Sequence, residues 1–221
     1  MGKLLKIITP IHLITKRNYF QRMKNKKIDC MKMARKYDYN YWDGKRKFGY
    51  GGYKYIPDLM KPVAEKIIKK YNLSNKSKIL DVGCGKGFVL YEIKKILPNI
   101  TLSGFDISRY GIKNAKKEVK DQLFVHRAQD KFPYKTNQFD LVFSIHCLHN
   151  LQIFDLKKAI KEIQRVGKKG FIALEGYRNE KELFNLQCWA LTAESFFSDK
   201  EWIWLYNNFG YTGDYEFIYF N

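Results

Sequence analysis

Seven consecutive residues, Asp81-Val82-Gly83-Cys84-Gly85-Lys86-Gly87, carry the strongest chemical signal in the chain. An acid is followed by three glycines at alternate positions. Without a Cβ, the backbone can turn sharply there and approach a ligand closely. A helix that starts at once adds free N–H groups and positive potential, suited to a carboxylate or phosphate. Asp106 follows 23 residues beyond Gly83. At the end of the next strand, its carboxylate can accept both hydroxyls of a ribose.

Two cofactor classes use such a turn. Dinucleotide sites favour GxGxxG, with space for a pyrophosphate. Here the spacing is GxGxG, and the leading acid would repel a pyrophosphate. That acid suits the ammonium of a methionine moiety instead. The pattern therefore favours S-adenosyl-L-methionine (SAM) over NAD.

A second cluster, His146, Cys147 and His149, follows an apolar run. Histidine titrates near pH 6.5 and is a natural proton acceptor. An oxygen nucleophile often needs a base, whereas an amine need only be neutral. His146 and His149 are the candidate catalytic bases. The plainer alternative is that His146 packs beside the strand and His149 caps the loop before Leu151. Asn150, Glu175, Tyr177 and Arg178 stand at strand ends on the same rim and are candidates for holding substrate, while Tyr50 and Tyr53 could close over it. The His/Cys spacing lacks the paired ligand sets of a structural zinc site, so no metal is expected.

These residues need elements to position them. Lys78 to Val82, Thr101 to Asp106, Leu123 to Arg127, Phe139 to Ile145 and Gly170 to Leu174 read as short buried strands. Helical patterns separate them: Phe88 to Leu97, Ser108 to Val119 and Leu156 to Val166. Five strands alternating with helices imply a parallel sheet with right-handed crossovers. Pro57 to Tyr71 reads as a preceding helix, with Pro62 in its first turn. After the fifth strand come a helix (Glu180 to Ala190), an extended segment (Thr192 to Phe197), a helix (Asp199 to Phe209) and a terminal strand (Tyr215 to Phe220).

The N-terminal part is different. Residues to about Asn40 are basic, and Tyr19 to Lys36 fits an amphipathic helix. The block YDYNYWDGKRKFGYGGYKY (37–55) is rich in aromatics and glycine. A binding wall or lid and simple packing onto the core are equal readings of it. The expected division is a basic, aromatic extension over residues 1–55 and a catalytic domain over residues 56–221.

Net charge is +19, and it is uneven. Met1 to Lys78 holds 21 Lys and Arg against 5 Asp and Glu; the remainder holds 20 against 17. A basic arm can attract nucleic acid, an anionic surface or a phosphorylated substrate. Lysine outnumbers arginine by 33 to 8, and lysine is the less specific phosphate reader. A solvated basic surface is the plainer reading. Four dispersed cysteines, no CxxC pair and no continuous apolar run suggest reduced thiols, a cytoplasmic location and no transmembrane helix.

ILDVGCGKG, then GFDIS, then AQDKFPY, then FDLVFSIHCLHNL, resembles the class I SAM-dependent methyltransferases over roughly Ile56 to the C-terminus. The aromatic block is similar to small bacterial methyltransferases of surface-polysaccharide or small-metabolite pathways. The resemblance implies a Rossmann-like α/β sheet, mostly parallel, with a reversed terminal strand and helices on both faces. It implies that Asp81, Gly83, Cys84, Gly85 and Gly87 line the methionine end of the cofactor and that Asp106 binds the ribose. It further implies Ile107 on the adenine, Asp130 on its amino group and Ser144 facing the cofactor.

Ser-Ile-His-Cys stands where a methyltransferase of exocyclic amines would carry Asn/Asp-Pro-Pro-aromatic, and there is no Pro-Cys nucleophile. The expected function is methyl transfer to O or N of a small metabolite, anionic or sugar-linked. An RNA methyltransferase using the basic arm, gripping a strand by charge and stacking, is the second reading. A non-catalytic partner subunit with this fold is the third.

Overall fold

A computed structural model of the chain describes residues 2–50 and 54–221. Four short helices lead: α1 (Thr9–Leu13), α2 (Tyr19–Lys24), α3 (Lys27–Ala34) and α4 (Tyr39–Trp42). Then come α5 (Lys61–Tyr71), β1 (Lys78–Val82), α6 (Phe88–Ile96), β2 (Thr101–Asp106), α7 (Arg109–Lys113), α8 (Lys117–Lys120) and β3 (Leu123–Val125). β4 (Leu141–Ile145), α9 (Ile153–Val166), β5 (Gly170–Glu175), α10 (Glu180–Trp189), α11 (Asp199–Phe209) and β6 (Asp214–Ile218) follow, and two short 3-10 turns cover Arg46–Phe48 and Leu148–Asn150.

The sheet order is β3-β2-β1-β4-β5-β6. Alternation along the strands divides the core in two, because successive side chains point to opposite faces. Leu80, Val82, Val142, Ile172 and Leu174 join α9 and α11 on one face. Ile79, Leu141, Phe143, Phe171 and Ala173 join α5 and α6 on the other. Both faces are covered, as a parallel sheet requires.

Every pairing in the sheet is parallel, including β5 with β6, registered from Phe171↔Asp214 to Glu175↔Ile218. This corrects the expected reversed terminal strand. α11 ends at left-handed Gly210 and the chain crosses back to the end of the sheet where β5 began. A helical crossover returns a parallel strand, whereas reversal needs a hairpin-type return. Thr192 to Phe197, expected to be extended, forms no strand.

The outer edge of β6 is met by the start of the chain. Leu4 bridges Tyr215 in parallel, and Leu5 N donates to Tyr215 O at 2.8 Å. Glu216, fully buried on β6, accepts from the amides of Ile7, Ile8 and Thr9 at 2.6 to 3.0 Å and from the Thr9 hydroxyl at 2.7 Å. A carboxylate there satisfies free N–H groups at the start of α1.

Two expected helices are broken. Tyr19 to Lys36 divides into α2 and α3 at Lys26, which takes a left-handed φ of 49°. Ser108 to Val119 divides into α7 and α8. The arm packs on α10, where Tyr19 and Tyr50 join Leu186, Trp189 and Phe220.

Candidate active site

The glycine turn leaves β1 at the carboxyl edge of the sheet, the usual ligand side of an open α/β fold. Gly83 N and Cys84 N both donate to Phe105 O, at 2.9 and 3.0 Å, which folds the turn against β2. Gly83 has φ 83°, and a Cβ there would run into the Cys147 side chain. Gly85 has φ 55°, and a Cβ would come within 2.8 Å of the Trp42 ring. Both positions thus need glycine for conformation and for closeness.

Among the described residues, neither Asp81 nor Asp106 forms an ion pair with a basic side chain. No hydrogen bond reaches the buried Asp81 carboxylate among the described residues. Burial, and then the charge of Asp106, push Asp81 well above the usual carboxylate range. Burial also raises Asp106, against the amides of Ser108 (2.8 Å) and Gly85 (2.9 Å) that support its charge. Two such groups side by side are strained until a cation or hydroxyl donors arrive. An ammonium at Asp81 and a ribose diol at Asp106 meet that need, so these residues fit the adenosylmethionine cofactor.

Across the sheet, β4 ends at His146, whose N donates to Ala173 O at 2.9 Å. His146 has φ 53°, a left-handed conformation that histidine, asparagine and aspartate adopt more readily than other non-glycine residues. Glu175 ends β5, and Trp202 Nε1 holds its carbonyl at 3.0 Å. Its carboxylate bridges two imidazoles: Oε1 lies 2.8 Å from His146 Nδ1, and Oε2 forms an ion-pair contact with His149 Nδ1. Burial alone would raise Glu175, but His149 and His146 outweigh it and hold it well below the usual range. Burial likewise favours neutral His146, yet Glu175 prevails and raises it above the ordinary histidine value. Only the His146 contact is a hydrogen bond; His149 Nδ1 and Glu175 Oε2 are close but lack hydrogen-bond geometry among the described residues.

The aromatic block roofs this edge. Trp42 seats on Gly85 and Gly111, with Nε1 donating to Ser108 Oγ at 2.7 Å. Asp43 takes both carboxylate oxygens to buried Lys86 Nζ at 2.7 Å and receives Tyr110 OH at 2.8 Å. Burial would raise Asp43, but Lys86 and Tyr110 hold it below its usual range. Tyr50 OH receives the amides of Leu191 (2.7 Å) and Thr192 (3.1 Å). Tyr37 lies among Cys147, Tyr50 and Thr192.

The structure thus brings together Asp81, Gly83, Cys84, Gly85, Gly87, Asp106, His146, His149, Glu175 and Tyr50. Ser144 Oγ donates to Val82 O at 2.8 Å and fixes the exit of β1. Asn150 Nδ2 donates to Cys147 O at 2.9 Å, while its Oδ1 is buried without a partner among the described residues. Ile107 is exposed, and Asp130 reaches Arg127 at 3.9 Å on the surface. Tyr177 OH points to Glu201, and Arg178 pairs with Glu182 and stacks over Tyr219. Tyr53 lies outside the described residues. Burial raises the Cys84 and Cys147 thiols, which disfavours the reactive thiolate. Sequence reasoning missed Trp42, Tyr37, His12 and Arg17; only the aromatic density of residues 37–55 and the basic bias of the arm signalled them.

A parallel six-stranded sheet with a glycine turn, two buried acids and a histidine pair on its carboxyl edge defines a Rossmann-like α/β protein. Residues 73–210 match the methyltransferase domain family, and the chain belongs to it. It is 26% identical over 137 residues to the putative methyltransferase YrhH of Bacillus subtilis strain 168, covering 58% of this chain and 74% of that protein. It is 38% identical over 99 residues to ajmaline N-methyltransferase of Rauvolfia serpentina, covering 42% of this chain and 33% of that one. The chain spans about a third of the length of the first curated relatives it matches. A likeness of fold at 15% identity and a TM-score of 0.55 links it to a chain of the complex between the Haloferax volcanii Trm112 methyltransferase activator and a putative methyltransferase, over 89% of this chain and 77% of that chain. Among the described residues, no helix is long and apolar enough to cross a membrane.

Proposed function

We propose that this chain is a SAM-dependent methyltransferase acting on the oxygen or nitrogen of a small, enclosed acceptor, with residues 1–55 as its lid and residues 56–221 as its catalytic unit. One observation carries the small-acceptor reading: Trp42, Asp43, Tyr37 and Tyr50 are tied down across the cofactor turn and the strand ends. A polymer would need an open groove there.

In this reading Asp81 holds the cofactor ammonium, Asp106 holds the ribose hydroxyls, and the Gly83-Cys84-Gly85 backbone lies against the methionine end. Ile107 and Asp130 serve the adenine, and Ser144 keeps the turn in place. Bound SAM supplies a methyl group already activated by its sulfonium. Positioning then accounts for much of the rate. His149 takes the acceptor's proton at Nε2, and Glu175 fixes its ring and steadies the imidazolium that forms, as in other carboxylate–histidine pairs. His146 shares that carboxylate and faces the same space. Asn150 Oδ1 offers an acceptor for a substrate N–H or O–H.

The test pairs SAM calorimetry with a methyl-transfer screen against nucleotide sugars, phosphorylated metabolites and bulk RNA. SAM binding with turnover on a small acceptor is expected. Turnover on RNA alone would overturn the small-acceptor reading, and absence of SAM binding would overturn the whole.

A further inference from the structure

Three guanidinium groups of the arm surround one indole. Arg17, Arg22 and Arg46 lie 5.6, 4.7 and 5.7 Å from the Trp189 ring centroid. Arg22 is buried and donates to the carbonyls of Trp189, Arg46 and Gly49 at 2.7 to 3.3 Å. The other two differ. Among the described residues, no carboxylate lies within ion-pair distance of Arg17 or Arg46. Arg46 is exposed.

Arg17 is held in one pose. Its Nη1 donates to the carbonyls of His12 and Thr15, each at 3.0 Å, and Nη2 to His12 Nδ1 at 3.0 Å. His12 can accept there because burial, then Arg17 itself, lower it to about 4, so it is neutral and its Nε2–H serves Tyr219 O. Trp189 and Phe220 flank the Arg17 guanidinium, the latter at 5.3 Å. An arginine has five N–H donors, and these bonds use three. What remains is Nε–H and one Nη2–H, and Nε is buried with no partner. That pair is the parallel fork that grips a carboxylate or phosphate.

The cluster adjoins the catalytic edge. Arg17 is within electrostatic reach of Glu175 and His146, and His12 of both as well. Among the described residues, Glu175 makes its ion-pair contacts with the two imidazoles and none with Arg17. Arg17 and Arg46 also repel one another. A buried donor left without a partner is costly unless a ligand completes it.

We propose that Arg17 and Arg46 form an oxyanion-binding site on the Trp189 indole, and that the acceptor anchors a phosphate or carboxylate there while its reacting atom faces His146 and His149. This rests on the methyltransferase reading and narrows it to anionic acceptors. A cationic amine would be repelled.

The test uses the full chain, titrated with inorganic phosphate and separately with acetate at constant ionic strength, with the arginine Nε–H resonances and heat as readouts. Saturable binding that moves the Arg17 Nε–H signal is expected. Arg46→Gln and Arg17→Lys, which keeps the charge but not the fork, should each weaken it at least fivefold. Lys168→Gln, at the far end of the sheet, should leave it unchanged. Preference for phosphate or for acetate assigns the anion. No saturation, or equal binding by the arginine variants, would overturn the site. If Arg17→Lys fails to fold, Arg46→Gln, at an exposed position, decides between these outcomes. SAM calorimetry on the same samples reads the methyltransferase assignment separately: loss of SAM binding with phosphate binding intact defeats that assignment and not the anion site.

Discussion

Gly83→Ala should separate backbone strain from crowding at the cofactor turn. An L-residue at φ 83° costs about 1–2 kcal/mol. The new methyl would also collide with Cys147 Sγ and lie 2.5 Å from its Cβ, overpacking that costs about 1–3 kcal/mol. The expected loss is therefore about 2–5 kcal/mol in urea unfolding. Cys147→Ala in the same background removes the sulfur but leaves the Cβ contact, so it should recover only part. Cys147→Gly leaves the Cα at 3.8 Å as the nearest Cys147 atom, an ordinary contact, and should recover the crowding share alone. A double-mutant cycle isolates that share. SAM affinity should stay low even in the double variant, because the strained turn persists. A single Gly83→Ala effect under about 0.5 kcal/mol, or a cycle with no coupling, would refute the geometry.

His149→Ala should lower turnover by about 10²–10⁴ with SAM affinity kept, as loss of a general base does; full activity would remove His149 from that role. Glu175 raises His146 against burial by favouring its charged form, so Glu175→Gln should move the His146 titration midpoint, read by NMR, to lower pH. An unmoved midpoint would disconnect Glu175 from the His146 ring. Trp42→Ala should weaken SAM binding at least tenfold, about 1.4 kcal/mol by calorimetry, and unchanged affinity would place the indole outside the cofactor site. Glu216→Ala strips the amides of Ile7, Ile8 and Thr9 of a charged acceptor and should cost at least about 3 kcal/mol, read by urea unfolding and by faster hydrogen exchange at those amides.

Local signals predicted the parallel core well. β1, β2 and α11 match their expected bounds, because alternating apolar runs and the Ser198–Glu201 capping box are properties of neighbouring residues. The glycine turn was readable for the same reason. The terminal strand's direction was not: it depends on how α11 crosses the sheet, and Tyr215 to Phe220 look alike in either sense. The His146–Glu175–His149 bridge was half legible. Each residue stood on an expected strand end, but their meeting follows from the β4–β5 register. Arg17 was hidden in a basic arm whose charge was read as solvated surface. Its importance arises only where Trp189, His12 and Phe220 converge on it.

The tie between Glu216 and residues 7–9 also sets an order in time. These partners stand 207 to 209 positions apart. At synthesis rates of about 5–20 residues per second, the arm waits roughly 10–40 s for its anchor. Until then residues 4–9 have no sheet edge to join, while residues 37–50 already have their partners on the glycine turn and at Leu191 and Thr192. Docking of residues 4–9 on β6 is thus a late event, and a nascent chain paused before β6 would leave that segment of the arm undocked while the roof over the histidine edge could already form.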